Sequence, residues 1–284
     1  MATFETYKAK ADPKIALAVA ATTSPFTIEV RFLGGLTERQ KDAFKGAADR
    51  WSRIIVGDLP SVMVGDEVID DVLILAKGAE IDGPGKILGR AGPTDLRAEN
   101  AGSAALIPAK GEMTFDTADL EEMEKRGTLN DVITHEMGHV IGIGTIWQRK
   151  RLLKGAGTTN PTFIGQTAMA EYGRLRGAGS SSTPVPVENE GGMGTRDGHW
   201  REVIFVNELM SGYINATGNP ISRVTVASLQ DLGYVVDMNA AEPYDLPNLL
   251  MLAEEGLLMT QEAPIGMGIM LPTIPLVLPE NSLR

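Results

Sequence analysis

Three histidines are all that this 284-residue chain contains, and two of them stand four residues apart in His135-Glu136-Met137-Gly138-His139. On a helix, residues four apart differ by only about 40° in direction, so both imidazoles leave the same face and can share one metal ion. The spacing therefore demands a helix at this point, with enough structure around it to bury a charged site. Glu136 lies about 100° around the helix from the first histidine, near the metal without having to bind it, which suits a base acting on water. The neighbours Val132, Ile133, Val140 and Ile141 give the helix an apolar surround. Thr128-Leu129-Asn130-Asp131 fits a capping box at its start, and Gly142 or Gly144 predicts its end.

The chain has no cysteine, which excludes disulfides, thiolate metal sites and cysteine nucleophiles. A net charge of −11 argues against a nucleic-acid partner and against adsorption to anionic lipid. No transmembrane segment is predicted: the longest apolar stretch, Ala263 to Pro279, holds four prolines, a density that a membrane helix does not tolerate. Lys8, Lys10 and Lys14 before Ile15 to Ala21 only faintly imitate a signal peptide, so residues 1–24 are expected to be a leader or flexible segment.

Hydrophobic residues make up 43 % of the chain, enough for a substantial core. Phe26 to Gly34 and Val72 to Ala76 read as strands. Between them a helix begins at a Thr37 cap and buries Leu36, Phe44, Ala47, Trp51, Ile54 and Ile55. Residues 81–102, rich in Gly, Pro and Asp, read as loop. One or two strands follow within residues 104–116, and a long Gly/Ser/Thr-rich excursion runs from the motif helix to about Asp197. Arg223 to Tyr234 has helical periodicity closed by Gly233. This order predicts an α+β fold with a twisted mixed sheet.

Two imidazoles leave a zinc ion under-coordinated, because a catalytic site uses three protein ligands and one open position. His199, 60 residues beyond His139, is the remaining histidine. Asp197, Glu202 and Glu208 are carboxylate alternatives for the third place. The acidic runs at 65–71, 115–124 and 187–190 invite Ca2+ as a second cation, although none has EF-hand spacing and solvated loops explain them more simply.

His135 to Gly142 spells HExxHxxG, while Thr145 stands where the short form of the metzincin pattern places its third histidine. With His199-Trp200 far downstream and Glu208-Leu209-Met210 after it, the chain resembles the leishmanolysin-like zinc peptidases over roughly Phe26 to Pro247. It looks like a reduced form without the cysteines of the eukaryotic members. The resemblance implies a metzincin-like zincin: an N-terminal subdomain of residues 25–144 with the sheet and zinc helix, and a less regular C-terminal subdomain of residues 145–284. It implies Zn2+ on His135, His139 and His199, with Glu136 as catalytic base and acid, Gly142 turning the chain, and Met210 beneath the metal. It also implies action outside the cytoplasm, on protein or peptide substrates, by a metal-activated water. Tyr213 is a weaker candidate for a place near the metal, and Trp147 and Trp200 either flank the cleft or simply pack. A substrate strand would add to a sheet edge, expected within residues 104–115. The rival reading is a zinc-bound peptide- or surface-binding protein without catalysis.

Overall fold

The computed structural model describes residues 4–83, 85, 88–177, 181–192, 194–214, 217–248, 269–270 and 274–284. It is a mixed α+β structure whose main sheet runs, in spatial order, through β1 (Glu5–Lys10), β2 (Thr27–Phe32), β5 (Val72–Ala79), β7 (Pro108–Asp116) and β6 (Gly89–Leu96). β2, β5 and β7 are parallel, whereas β1 and β6 run antiparallel to their neighbours. A small hairpin, β3 (Val62–Val64) with β4 (Glu67–Ile69), precedes β5.

Two helices lie side by side on this sheet. α2 (Glu38–Ile54) opens with the expected Thr37 cap, completed into a capping box by Gln40. It buries Phe44, Ala47, Trp51 and Ile54 against β1 and β2. α4 (Leu129–Val140) carries the histidine pair and packs on β6 and β7. Trp51 ties the two together by donating its indole N–H to the Thr134 carbonyl at 2.9 Å.

Several expectations are corrected. Residues 1–24 do not form a flexible leader where they are described: Glu5–Lys10 is an edge strand, and α1 (Pro13–Ala20) follows, capped by Asp12 with a proline in its first turn. Ala9, Ala11 and Ala16 are buried and Tyr7 donates to Asp49, so the segment is anchored by small apolar contacts too modest to stand out in a hydropathy pattern. Residues 81–102 are not all loop, because β6 falls within them. On its outer side β6 is paired, among the described residues, only towards its two ends, at Gly89–Arg90 and Asp95–Leu96, so Gly92 and Pro93 between them owe no ladder bond there, and Pro93 sits at a register shift where the β7 ladder is already broken. The expected free edge at residues 104–115 is instead interior: Leu73 to Ala79 pair with one side of β7 and β6 takes the other. The capping box at Thr128 is not formed, since its hydroxyl is buried without a partner among the described residues.

The second half has short strands β8 (Leu153–Lys154), β9 (Thr162–Phe163) and β10 (Val185–Pro186) in one three-stranded sheet. Its helices are α5 (Gln166–Leu175), α6 (Glu202–Phe205) and α7 (Arg223–Leu232), whereas α3 (Thr117–Arg126) belongs to the first half, just before α4. α7 ends at Gly233 as the periodicity predicts. The apolar stretch from Ala263 to Pro279 lies partly outside the described residues. Its described parts, β11 (Ile269–Met270) and β12 (Leu276–Val277), each pair in parallel with β6. Among the described residues no helix is long and apolar enough to cross a membrane.

Candidate metal centre

α4 holds His135 and His139 on one face, one turn apart. Val140, Ile141 and Ile143 beyond them are fully buried, so the helix end is driven into the core. Gly142 then adopts φ +112° and Gly144 φ +76°, left-handed conformations that side chains resist. The second glycine has a further duty: a Cβ there would lie 2.0 Å from the carbonyl oxygen of Gly198. The turn after α4 and the backbone just before His199 are therefore in van der Waals contact, which only glycine permits. Replacing Gly144 with alanine is expected to push the His199 loop away, destabilise the fold by about 1–3 kcal/mol and weaken zinc binding about 10–100-fold, as for a lost supporting group. Thermal melts and zinc titration check both effects, and wild-type values in each would contradict the proposed role.

The loop carrying His199 is held on both sides. Glu188 donates its backbone N–H to the His199 carbonyl, and Trp200 donates its own to the carbonyl of Met210, each at 2.9 Å. Trp200 stacks on Trp147 at 4.7 Å between ring centroids and meets Phe163 and Phe205, while its indole N–H reaches Thr225. Trp147 and Trp200 are both fully buried, so their role is packing. The result is that 60 residues of excursion return to one defined point.

At that point the Nε2 atoms of His135, His139 and His199 lie 2.9–3.0 Å from one another. Each Nδ1 faces a backbone carbonyl: Leu209 at 2.6 Å, Ile143 at 2.9 Å and Thr195 at 2.8 Å, respectively. A carbonyl can only accept, so each Nδ1 carries the ring proton and each Nε2 presents a lone pair. Three lone pairs pointed at one another cannot hydrogen-bond to each other, and the three rings could instead hold one metal ion. Burial drives His135 down to about 3, with the neighbouring His139 adding to it, and His139 down to about 4. His199 is also held well below its ordinary value, chiefly by burial. All three rings are thus neutral, the form in which imidazole can bind a metal. Nitrogens about 2.0–2.1 Å from a common zinc ion stand about 3 Å apart when the angles at the metal slightly exceed 90°, so the donor set fits zinc in chemistry and spacing.

Glu136 is 3.8 Å from His135 Nε2 through Oε1, and its Oε2 is buried with no partner among the described residues. Desolvation alone pushes its carboxyl up to about 8; a cation on the histidines opposes that shift.

Beneath the helix, Met210 is fully buried. A Cβ built on Gly138 would come within 2.8 Å of its Sδ and 3.0 Å of Trp51 Cζ2. Gly138 is therefore a packing requirement that the histidine spacing did not announce. Glu208, a carboxylate candidate for the third ligand, does not join the cluster of the three histidines. Its carboxylate accepts from the Met210 N–H at 2.6 Å, from Ser222 N and Oγ, and from the Thr225 hydroxyl. It fixes the turn whose Leu209 carbonyl orients His135. Glu202 accepts from Tyr213 N and Asp197 from Gly157 N, so both carboxylates bond elsewhere. The Tyr213 phenol is raised by burial and by Glu188, Glu202 and Glu190 around it, which places it in an acidic surround.

Several carboxylates of the acidic runs accept from the protein's own backbone, although Asp119 Oδ2 is buried with no partner among the described residues. Asp116 accepts from Ile81, Asp82, Gly83 and Ala118 backbone N–H groups, and Glu188 from Asn189, Glu190 and Glu202. Asp58, Asp70 and Asp71 have carboxylate oxygens within 4.8 Å of one another, but Asp71 is bonded to Thr27 and Leu59.

A family model described as leishmanolysin, Peptidase_M8, matches residues 103–248, a span that includes α4, His199 and Met210. No curated protein matches the chain.

Proposed function

The chain belongs to the leishmanolysin family of metallopeptidases, and from that premise we propose that it is a zinc-dependent endopeptidase acting on protein or peptide substrates. The observation that carries the reading is the convergence of three Nε2 lone pairs beside a buried carboxylate oxygen with no partner among the described residues. His135, His139 and His199 would hold the ion, each ring oriented by the carbonyl on its Nδ1. Zinc bound there supplies Lewis acidity, polarising a substrate carbonyl and acidifying water.

Glu136 does the proton work. Oε2 takes a proton from the attacking water and later delivers it to the departing amine nitrogen, which needs a carboxylate close to the reacting atoms and otherwise unengaged. Met210 gives the site an apolar floor that excludes water from below. Glu208 keeps the Leu209–Met210 turn in place, and Gly142 turns the chain away from the helix. The division into subdomains 25–144 and 145–284 belongs to the same proposal, with the first supplying the helix and the second supplying His199 and the methionine.

The test is cleavage of casein or a peptide library by the zinc-loaded chain. Cleavage that stops on chelation and returns with zinc supports the reading. Cleavage indifferent to chelation, or none by the fully zinc-loaded chain, overturns it.

A further inference from the structure

Leaving aside the two-residue strands β11 and β12, the sheet ends in β1 and β6, and these two are not equivalent with respect to the metal centre. β1 is four strand spacings from β6, about 19 Å. β6 is the strand beside the zinc helix: Pro93 pairs with Gly111, and a Cβ on Gly111 would lie 2.5 Å from Cγ1 of Val140, the residue after His139. The outer side of β6 is taken by the chain's own C-terminal segment. Ile269 and Met270 pair with Gly89 and Arg90, and Leu276 and Val277 pair with Asp95 and Leu96. Leu278 donates its N–H to the Leu96 carbonyl at 2.9 Å, and Arg149, in the stretch after α4, donates to the Pro275 carbonyl at 3.3 Å.

The hold on this edge is slight. Each pairing is two residues long and parallel, the weaker ladder geometry, and the Ile274 and Leu276 side chains are 87 % and 63 % exposed. The grip lies further on, where Leu278 and Ser282 are buried, Leu283 bridges to Val62 and Arg284 donates to the Ser61 carbonyl. An unpaired strand edge is a template for another extended chain. Here it is covered by backbone bonds that an incoming chain could replace one for one.

We infer that residues 274–278 of this chain compete with a peptide substrate for the outer edge of β6. The inference rests on the peptidase reading, and it makes the C-terminal segment a tethered competitor that raises the apparent KM.

Because the chain has no native cysteine, the tail can be locked without ambiguity. Asp95 and Leu276 are paired positions, and paired strand positions are spaced suitably for a disulfide. The full-length Asp95→Cys/Leu276→Cys variant is compared with itself, oxidised and reduced, with the cross-link verified by mass. The oxidised form is expected to show a KM for a long peptide at least tenfold higher at equal zinc content, reversed by reductant. Equal KM in the two forms overturns the inference. A second readout does not need catalysis: a fluorescein-labelled copy of residues 274–284 is expected to bind the reduced form at least tenfold more tightly. Absence of cleavage by either form, with that binding difference intact, removes the peptidase reading and leaves the competition for the β6 edge standing; equal binding removes that competition. Should the cross-link fail to form, Leu278→Pro deletes the N–H given to Leu96 and is expected to lower KM, and an unchanged KM in a folded variant counts against the competition.

Discussion

Glu136→Ala is expected to leave a folded chain with a full complement of zinc and a kcat/KM on peptides lower by about 10^2–10^4-fold, the usual reach of a positioned acid–base group. The side chain is almost wholly buried and its Oε2 is unpaired among the described residues. Truncation therefore removes a desolvated polar group from the interior rather than a stabilising contact, and the melting temperature should stay level or rise, as when a strained functional group is given up. The pairing of lost activity with undiminished stability identifies Glu136 as serving the reaction. A variant that keeps near-wild-type cleavage, or that loses zinc together with activity, would assign it another role.

His199→Ala carries the second large effect. Two helical imidazoles remain, but zinc sites of this kind use three protein ligands. The loss in zinc affinity is expected to exceed the about 10–100-fold that follows removal of an outer-shell partner, and activity at limiting zinc should vanish. The fold should survive, because Trp200 and its aromatic neighbours anchor the loop independently of the ring at 199. Zinc titration followed by competition with a chelator measures the change, and an unaltered affinity would remove His199 from the ligand set.

The parts of this arrangement that were legible in the sequence are those with a local signature. The four-residue spacing of His135 and His139 needs nothing but helical geometry, and the helix is there. Thr37 and Gln40 form their capping box from four consecutive residues. His199 stood out because histidine is so scarce, although nothing local says that its loop returns to α4. What brings it back is long-range: the contact of Gly144 with Gly198 and the Trp200 bonds to Met210 and Thr225. β6 is hidden because its glycines and Pro93 are turn residues in any window-based reading and become strand residues only when laid beside β7. Glu208 was considered as a ligand on residue type alone. Its donors at Met210, Ser222 and Thr225 show that a buried carboxylate can serve as the fixed point of a turn. Asp131 is a similar case: it looks like a helix-start residue, yet its carboxylate accepts from Gly218 and Asn219 across the chain.

Everything proposed for this chain requires that three imidazoles, from a single helical turn and one distant loop, converge on one metal ion. X-ray absorption at the zinc edge on the purified, zinc-loaded chain, with elemental analysis of the same sample, measures this directly. One zinc per chain is expected, with three histidine nitrogens at about 2.0–2.1 Å and a remaining oxygen neighbour. Two nitrogens with a carboxylate, or a chain that takes up no zinc at these residues, would contradict it.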